Sequence, residues 1–113
     1  MSGITSHVLD TSRGRPASGV PVVLEIQEEN GWRELGRAET DADGRVRQLL
    51  PAGSGLTEGV YRLTFGIETY FKMQGIEGFY PEASIVFHVR DANQHHHVPL
   101  LLSPYGYSTY RGS

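Results

Sequence analysis

The chain has 113 residues, of which 38% are hydrophobic and 20% charged, with a net charge of −3, so one domain spanning residues 1–113 is expected. Acidic and basic residues are interspersed, which excludes the basic footprint of a nucleic-acid-binding protein. There is no cysteine. No apolar run approaches the ~20 residues of a membrane span, and the N-terminus has no basic or hydrophobic region of a secretory signal, so a cytoplasmic location is expected.

Alternating apolar residues predict about eight short strands with turns between them. The predicted strands cover residues 4–10, 20–27, 32–39, 45–50, 60–67, 84–90, 96–102 and 105–110. Asn30-Gly31 supplies the positive φ angles of a tight hairpin between the second and third strands. Residues 51–59 form a loop, and residues 68–75 are the one plausible helix, with Gly75 as its stop. This pattern predicts an all-β fold, an antiparallel sandwich of two packed sheets.

One predicted strand is apolar on both faces, at Val98-Pro99-Leu100-Leu101-Leu102. The outer face of a strand in a two-sheet sandwich is normally wet. No predicted helix is available to cover this strand, so the sequence indicates a subunit interface in a closed symmetric oligomer.

Three consecutive histidines precede that apolar run. His95 and His97 are two residues apart on a strand, so they share one face, and His96 projects from the other. Two imidazoles on one face fit an acid/base pair or two metal ligands, whereas a histidine-rich surface strand is the plainest alternative. By residue type alone, His7 in the first strand is a structural histidine and Arg45 after an acidic turn is a surface arginine.

Three motifs resemble those of the transthyretin-related proteins, the 5-hydroxyisourate hydrolases. Ser-His-Val-Leu-Asp-Thr at residues 6–11 resembles their opening motif, and Thr-Asp-Ala-Asp-Gly-Arg at residues 40–45 resembles their central motif. Residues 97–113 resemble their C-terminal signature, which ends in Tyr-Arg-Gly-Ser. That last tetrapeptide is the part that separates the hydrolases from the hormone-carrying transthyretins. The resemblance covers the whole chain in register.

The resemblance implies a prealbumin-like, transthyretin-like sandwich of two four-stranded sheets with one short helix, assembled as a homotetramer. It implies hydrolytic ring opening of 5-hydroxyisourate on the route from urate to allantoin, with no metal or organic cofactor. The implied catalytic residues are His7, Arg45, His97 and Ser113; the implied substrate-binding residues are Tyr110 and His95. Either His7 or His97 is the base, and Ser113 contributes its hydroxyl or a terminal carboxylate.

One position departs from the family pattern, which has His-Tyr-His where this chain has His95-His96-His97. Because position 96 projects away from the other two, the site-facing pair is expected to survive the change. Two alternatives stay open beside the hydrolase. The first is a transthyretin-like protein that carries a small aromatic ligand in its tetramer channel without catalysis. The second is a zinc-binding histidine-strand protein, for which the sequence offers no clear third ligand.

Overall fold

The computed structural model describes residues 3–51 and 53–113. Residues 1 and 2, which belong to the stretch interpreted as lacking a secretory signal, and residue 52 of the predicted loop lie outside the described residues. The described residues form nine strands and one helix: β1 (Gly3–Asp10), β2 (Arg15–Pro16), β3 (Pro21–Glu28), β4 (Gly31–Glu39), β5 (Arg45–Val46), β6 (Gly59–Phe65), α1 (Ile67–Met73), β7 (Ala83–Val89), β8 (His95–Ser103) and β9 (Gly106–Thr109).

Two sheets pack against each other, so the predicted all-β sandwich with one short helix is confirmed. One sheet has the order β4-β3-β6-β7 and is antiparallel throughout. The other has the order β2-β1-β8-β9, and the short β5 pairs with β1 on the same edge as β2, which adds a fifth strand to the four that were expected. The β1–β8 pair is parallel, unlike every other pair.

Alternation along the strands builds the core, as expected. Val22 and Leu24 of β3 and Leu63 and Phe65 of β6 have no solvent exposure. Each fully buried side chain of this size contributes about 1.5–3 kcal/mol of transfer free energy. The inward residues of β8 are Val98, Leu100 and Leu102, which face this core from the second sheet.

Several predicted elements differ in extent, and two of these differences follow from packing. The helix starts at Ile67 because its buried residues Ile67, Tyr70 and Phe71 lie on one face at helical spacing, and Gly75 follows it at φ +70°. The strand predicted at residues 45–50 ends at Val46. The chain turns inward there to bury Leu49, whose carbonyl oxygen lies so close to Gly36 that no side chain fits at that glycine.

The outward face of the five-stranded sheet carries the residues of interest. The parallel register places Thr5 beside His97, His7 beside Pro99 and Leu9 beside Leu101. All of these lie on the outward side of their strands, because the alternate residues of β1 are buried. None of the described residues forms a helix with the length and apolar character needed to cross a lipid bilayer.

Candidate active site

The three consecutive histidines divide between the two faces of β8, as predicted. The hydroxyl Oγ1 of Thr5 lies 2.8 Å from His95 Nε2 and 2.8 Å from His97 Nδ1 on the outward face. His96 faces inward and is only 5% exposed. Its Nδ1–H donates to the carbonyl oxygen of Gln94 at 3.0 Å, because a carbonyl can only accept. Burial, together with the charge of Arg111, lowers the pKa of His96.

A tight turn delivers Arg45 to the same face. The carboxylate Oδ1 of Asp41 accepts the backbone N–H of Asp43 at 2.9 Å and that of Arg45 at 3.0 Å. Gly44 has φ +76°, and a side chain there would come within 2.4 Å of the carbonyl oxygen of Val8, so only glycine lets the turn pack on β1. The hydrogen bond from the Arg45 N–H is the largest influence lowering the pKa of Asp41, whose charge is therefore retained.

His7 lies directly across from Arg45 in the β1–β5 pair. Its Nε2 lies 2.8 Å from the carbonyl oxygen of Asp43. A carbonyl oxygen accepts and never donates, so Nε2 of His7 carries the proton and Nδ1 of the neutral ring has the lone pair. The turn that presents Arg45 therefore also fixes the tautomer of His7.

His97 is positioned by the chain on two sides. The N–H of Gly112 donates to the His97 carbonyl at 2.8 Å, and a methyl group added at Gly112 would lie 2.6 Å from His97 Cδ2. Burial, and then the positive charge of Arg45 and the neighbouring His7 and His95, lowers the pKa of His97. The ring is therefore mostly neutral at pH 7 and able to take up a proton.

The second ring nitrogen of His97 is accessible. In the part of the chain that the structure describes, Nε2 has no hydrogen-bond partner, and no side-chain nitrogen or oxygen there is both buried and unpartnered. A neutral imidazole with an accessible nitrogen beside a guanidinium can deprotonate water and stabilise the negative oxygen that forms when the water attacks a carbonyl.

These groups enclose an open cavity of about 270 Å³. It is lined by Thr5, Ser6, Arg45, Val46, Arg47, His95, His97 and Ser113. Four of the six predicted site residues thus meet in one cavity, and His7 lies next to it on β1 beside Arg45. Tyr110 does not line it within one chain. That side chain borders a second cavity of about 260 Å³ between β7 and β8, together with His96.

Three residues of the site escaped the sequence reasoning. Thr5 lies two residues before His7 on the same strand face, which alternation alone could have indicated. Arg47 lines the cavity near Asp41 and Asp43, whose carboxylates lie 3.7 and 3.8 Å from its guanidinium. Gly112 is needed for its close approach to the His97 ring, which no sequence pattern signals. Within residues 3–51 and 53–113, no three side chains of His, Asp or Glu are grouped as a metal ion would need.

Comparison with known proteins decides the family. Residues 4–112 match the HIUase/Transthyretin family. The chain belongs to this family. It is 48% identical over 117 residues to the 5-hydroxyisourate hydrolase of Caulobacter vibrioides, with complete coverage of both chains. The HIUase/Transthyretin fold is also seen in the structure of Klebsiella pneumoniae 5-hydroxyisourate hydrolase, with TM-score 0.85, 38% identity and coverage of 99% and 100%. Sea bream transthyretin in complex with thyroxine has TM-score 0.89, 30% identity and coverage of 96% and 93%.

Proposed function

We propose that this protein is a hydrolase that opens the ring of 5-hydroxyisourate in urate degradation towards allantoin. The observation that carries the proposal is the cavity that brings Arg45, His95, His97 and Ser113 together on one sheet face. The identity of 48% to a 5-hydroxyisourate hydrolase over the full length of both chains supports the substrate.

In the proposed reaction, His97 is the general base. Its lowered pKa keeps the ring neutral, and Nε2 is accessible to a water molecule in the cavity. Water gives a proton to Nε2 and attacks a carbonyl carbon of the substrate ring; the C–N bond then breaks and the nitrogen takes up a proton. A positioned base of this kind contributes typically 10²–10⁴-fold.

Arg45 is proposed to stabilise the oxyanion. In the described part of the chain its guanidinium forms no ion pair or side-chain hydrogen bond, so its planar donors are available to the substrate. His7, with its Nε2–H held by the Asp43 carbonyl, presents Nδ1 and is the second candidate for the base. Ser113 and His95 line the cavity and are proposed to bind the ring. Tyr110 borders the other cavity, so its predicted binding role would need a neighbouring subunit.

We propose further that the protein is a homotetramer. Leu9 and Leu101 are half-buried neighbours on the outward face that also carries the site, and a second subunit would cover them. The exposed Tyr105 and Tyr107 lie at the edge of the same sheet, at 69% and 38% exposure. The apolar run of β8 gives less support than expected, because Pro99 is already buried in the single chain, where Gly112 approaches its ring.

A binding protein is the second candidate, since sea bream transthyretin binds thyroxine on a backbone that matches this one with TM-score 0.89. The cavity here has two arginines and two imidazoles on its wall, which suit an anionic, polar ligand better than an apolar aromatic one. The predicted cytoplasmic location stays a prediction, which fractionation of the host cells would test.

The deciding experiment follows the decay of freshly prepared 5-hydroxyisourate by ultraviolet absorbance with and without the purified protein. We expect faster decay with wild type and a rate near the spontaneous one with His97→Ala. His88→Ala is the matched control, because His88 is an exposed histidine on β7, in the other sheet. An unchanged decay rate, with saturable binding of a fluorescent aromatic probe, would make the protein a carrier. Metal analysis of the purified protein tests the zinc alternative.

A further inference from the structure

The hydroxyl group of Thr5 bridges two histidine rings. Its Oγ1 lies 2.8 Å from His95 Nε2 and 2.8 Å from His97 Nδ1. The parallel register fixes this arrangement, since Thr5 pairs directly with His97 across β1 and β8. Threonine is stiff at χ1, so the hydroxyl is held between the rings with little freedom to turn away.

Among the described residues, Thr5 Oγ1 has hydrogen-bond partners only in the two rings, so its one proton is donated to one ring and a lone pair accepts from the other. If Thr5 donates to His95 Nε2, then Nδ1–H of His97 must donate to Thr5, and the lone pair of His97 is on Nε2, facing the cavity. If Thr5 donates to His97 Nδ1, the proton of the neutral His97 ring is on Nε2 and the ring cannot act as a base there. Only the first state is competent for the proposed reaction.

We propose that Thr5 is a positioning residue that couples the tautomer of His97 to the protonation of His95. When His95 is an imidazolium, its Nε2–H must donate to Thr5, so Thr5 donates to His97 and switches its lone pair away from the cavity. When His95 is neutral with a lone pair on Nε2, the base-competent state forms. This inference rests on the proposed function, in which His97 Nε2 is the base.

The same bridge provides a path for a proton during turnover. After His97 Nε2 has taken a proton from water, the Nδ1 proton passes to Thr5 Oγ1 and the Thr5 hydroxyl proton passes to His95 Nε2. The reverse passage accompanies donation from His97 Nε2 to the departing nitrogen and restores the starting state. Only N–H and O–H bonds form and break, and the net result of each passage is one proton moved between the two rings.

The electrostatics favour this movement of charge. His97 is half-buried, with Arg45 and His7 beside it, and these surroundings oppose a positive charge on its ring. His95 is exposed, so water can solvate the charge there. The charged and titratable groups around the cluster are His7 on β1, Arg45 on β5, Arg47 after it, and Arg111, whose guanidinium donates to the His95 carbonyl at 3.3 Å.

The first test needs no substrate. Nitrogen-15 NMR of histidine-labelled protein between pH 5 and pH 9 reports which ring nitrogen of each histidine is protonated. In wild type we expect the Nδ1–H form of His97 at high pH to give way to the Nε2–H form as His95 becomes protonated. In Thr5→Val the tautomer of His97 should no longer follow His95, and Thr5→Ser should restore the coupling. The same pH course in Thr5→Val and wild type would overturn the proposal.

The second test uses turnover of 5-hydroxyisourate. We expect Thr5→Val to lower kcat by about 10–100-fold, which is less than the 10²–10⁴-fold typical of losing the general base itself, with KM changed less than about twofold. The acid side of its pH profile should shift, and Thr5→Ser should recover most of kcat. Thr5→Ala serves if the valine variant does not fold. If the His97 tautomer follows His95 protonation but the protein does not hydrolyse 5-hydroxyisourate, the proposed function is refuted and the coupling stands. If the protein is active but the His97 tautomer does not follow His95, the coupling alone is refuted.

Discussion

Replacing Gly112 with alanine should displace the imidazole ring of His97, the proposed base, without changing its chemical groups. The added methyl carbon would lie 2.6 Å from His97 Cδ2, 3.3 Å from Cγ and 3.4 Å from Pro99 Cγ. Carbon atoms in contact are ordinarily about 3.5–4.0 Å apart, so the ring or the segment that contains Gly112 must shift by about 1 Å. A misplacement of about 1 Å costs on the order of 10²-fold in rate. We therefore expect kcat on 5-hydroxyisourate to fall about 100-fold.

The stability of the Gly112→Ala variant should change far less. The contact at risk is the hydrogen bond from the Gly112 N–H to the His97 carbonyl, which contributes about 1 kcal/mol, or roughly 4 °C in Tm for a chain of this size. The assay pairs absorbance kinetics with thermal unfolding. Gly55→Ala is the matched control, because nothing lies within 4 Å of an added methyl there and φ is not positive. Full activity in Gly112→Ala would refute the view that this segment holds the His97 ring in place.

Three further predictions concern Arg45, the pH dependence of stability, and Leu101. Arg45→Lys should lower kcat/KM about 100-fold, because an ammonium group lacks the planar pair of donors of a guanidinium, while Tm changes by less than about 2 °C. A loss of stability as large as the loss of activity would indicate that Arg45 has a structural role. The free energy of unfolding in urea should decrease as pH falls below about 6.5, since the folded state lowers the pKa of His96 and His97 and the unfolded chain then binds more protons. His96→Tyr should flatten this dependence and keep activity, and an unchanged slope would contradict the linkage. Leu101→Glu should give a folded monomer without activity in sedimentation and kinetic measurements; an active monomer would remove the tetramer from the mechanism.

Most of what the sequence could predict came from the alternation of buried and exposed side chains along the strands. The inward faces of β3 and β6 followed from it, as did the opposite orientations of His96 and its two neighbours. These features are local, since side chains on a strand alternate whatever the partner strand is. The extents of β5 and the helix were less predictable, because burial of Leu49 and Ile67 depends on what packs over them.

The parallel pairing of β1 with β8 could not be read from the sequence, and the site depends on it. These strands are about 90 residues apart in the chain, and no turn connects them directly. The pairing alone places Thr5 between His95 and His97, and it brings Leu9 beside Leu101. The opening, central and C-terminal motifs each contain part of the site, so the resemblance could name the residues while the contacts between them required the fold.

Backbone similarity does not separate catalysis from binding in this family. The TM-score to the thyroxine complex of sea bream transthyretin, 0.89, is as high as the 0.85 to the Klebsiella hydrolase. The difference must therefore lie in side chains on a shared frame. On the outward sheet face, Thr5 and His97 occupy one end, while Leu9 and Leu101 occupy the other. The polar end holds chemistry that a carrier of an apolar ligand does not need, and the aliphatic end offers a surface that assembly would bury. A subunit docked on the leucines would extend over the histidines, which ties the proposed activity to assembly.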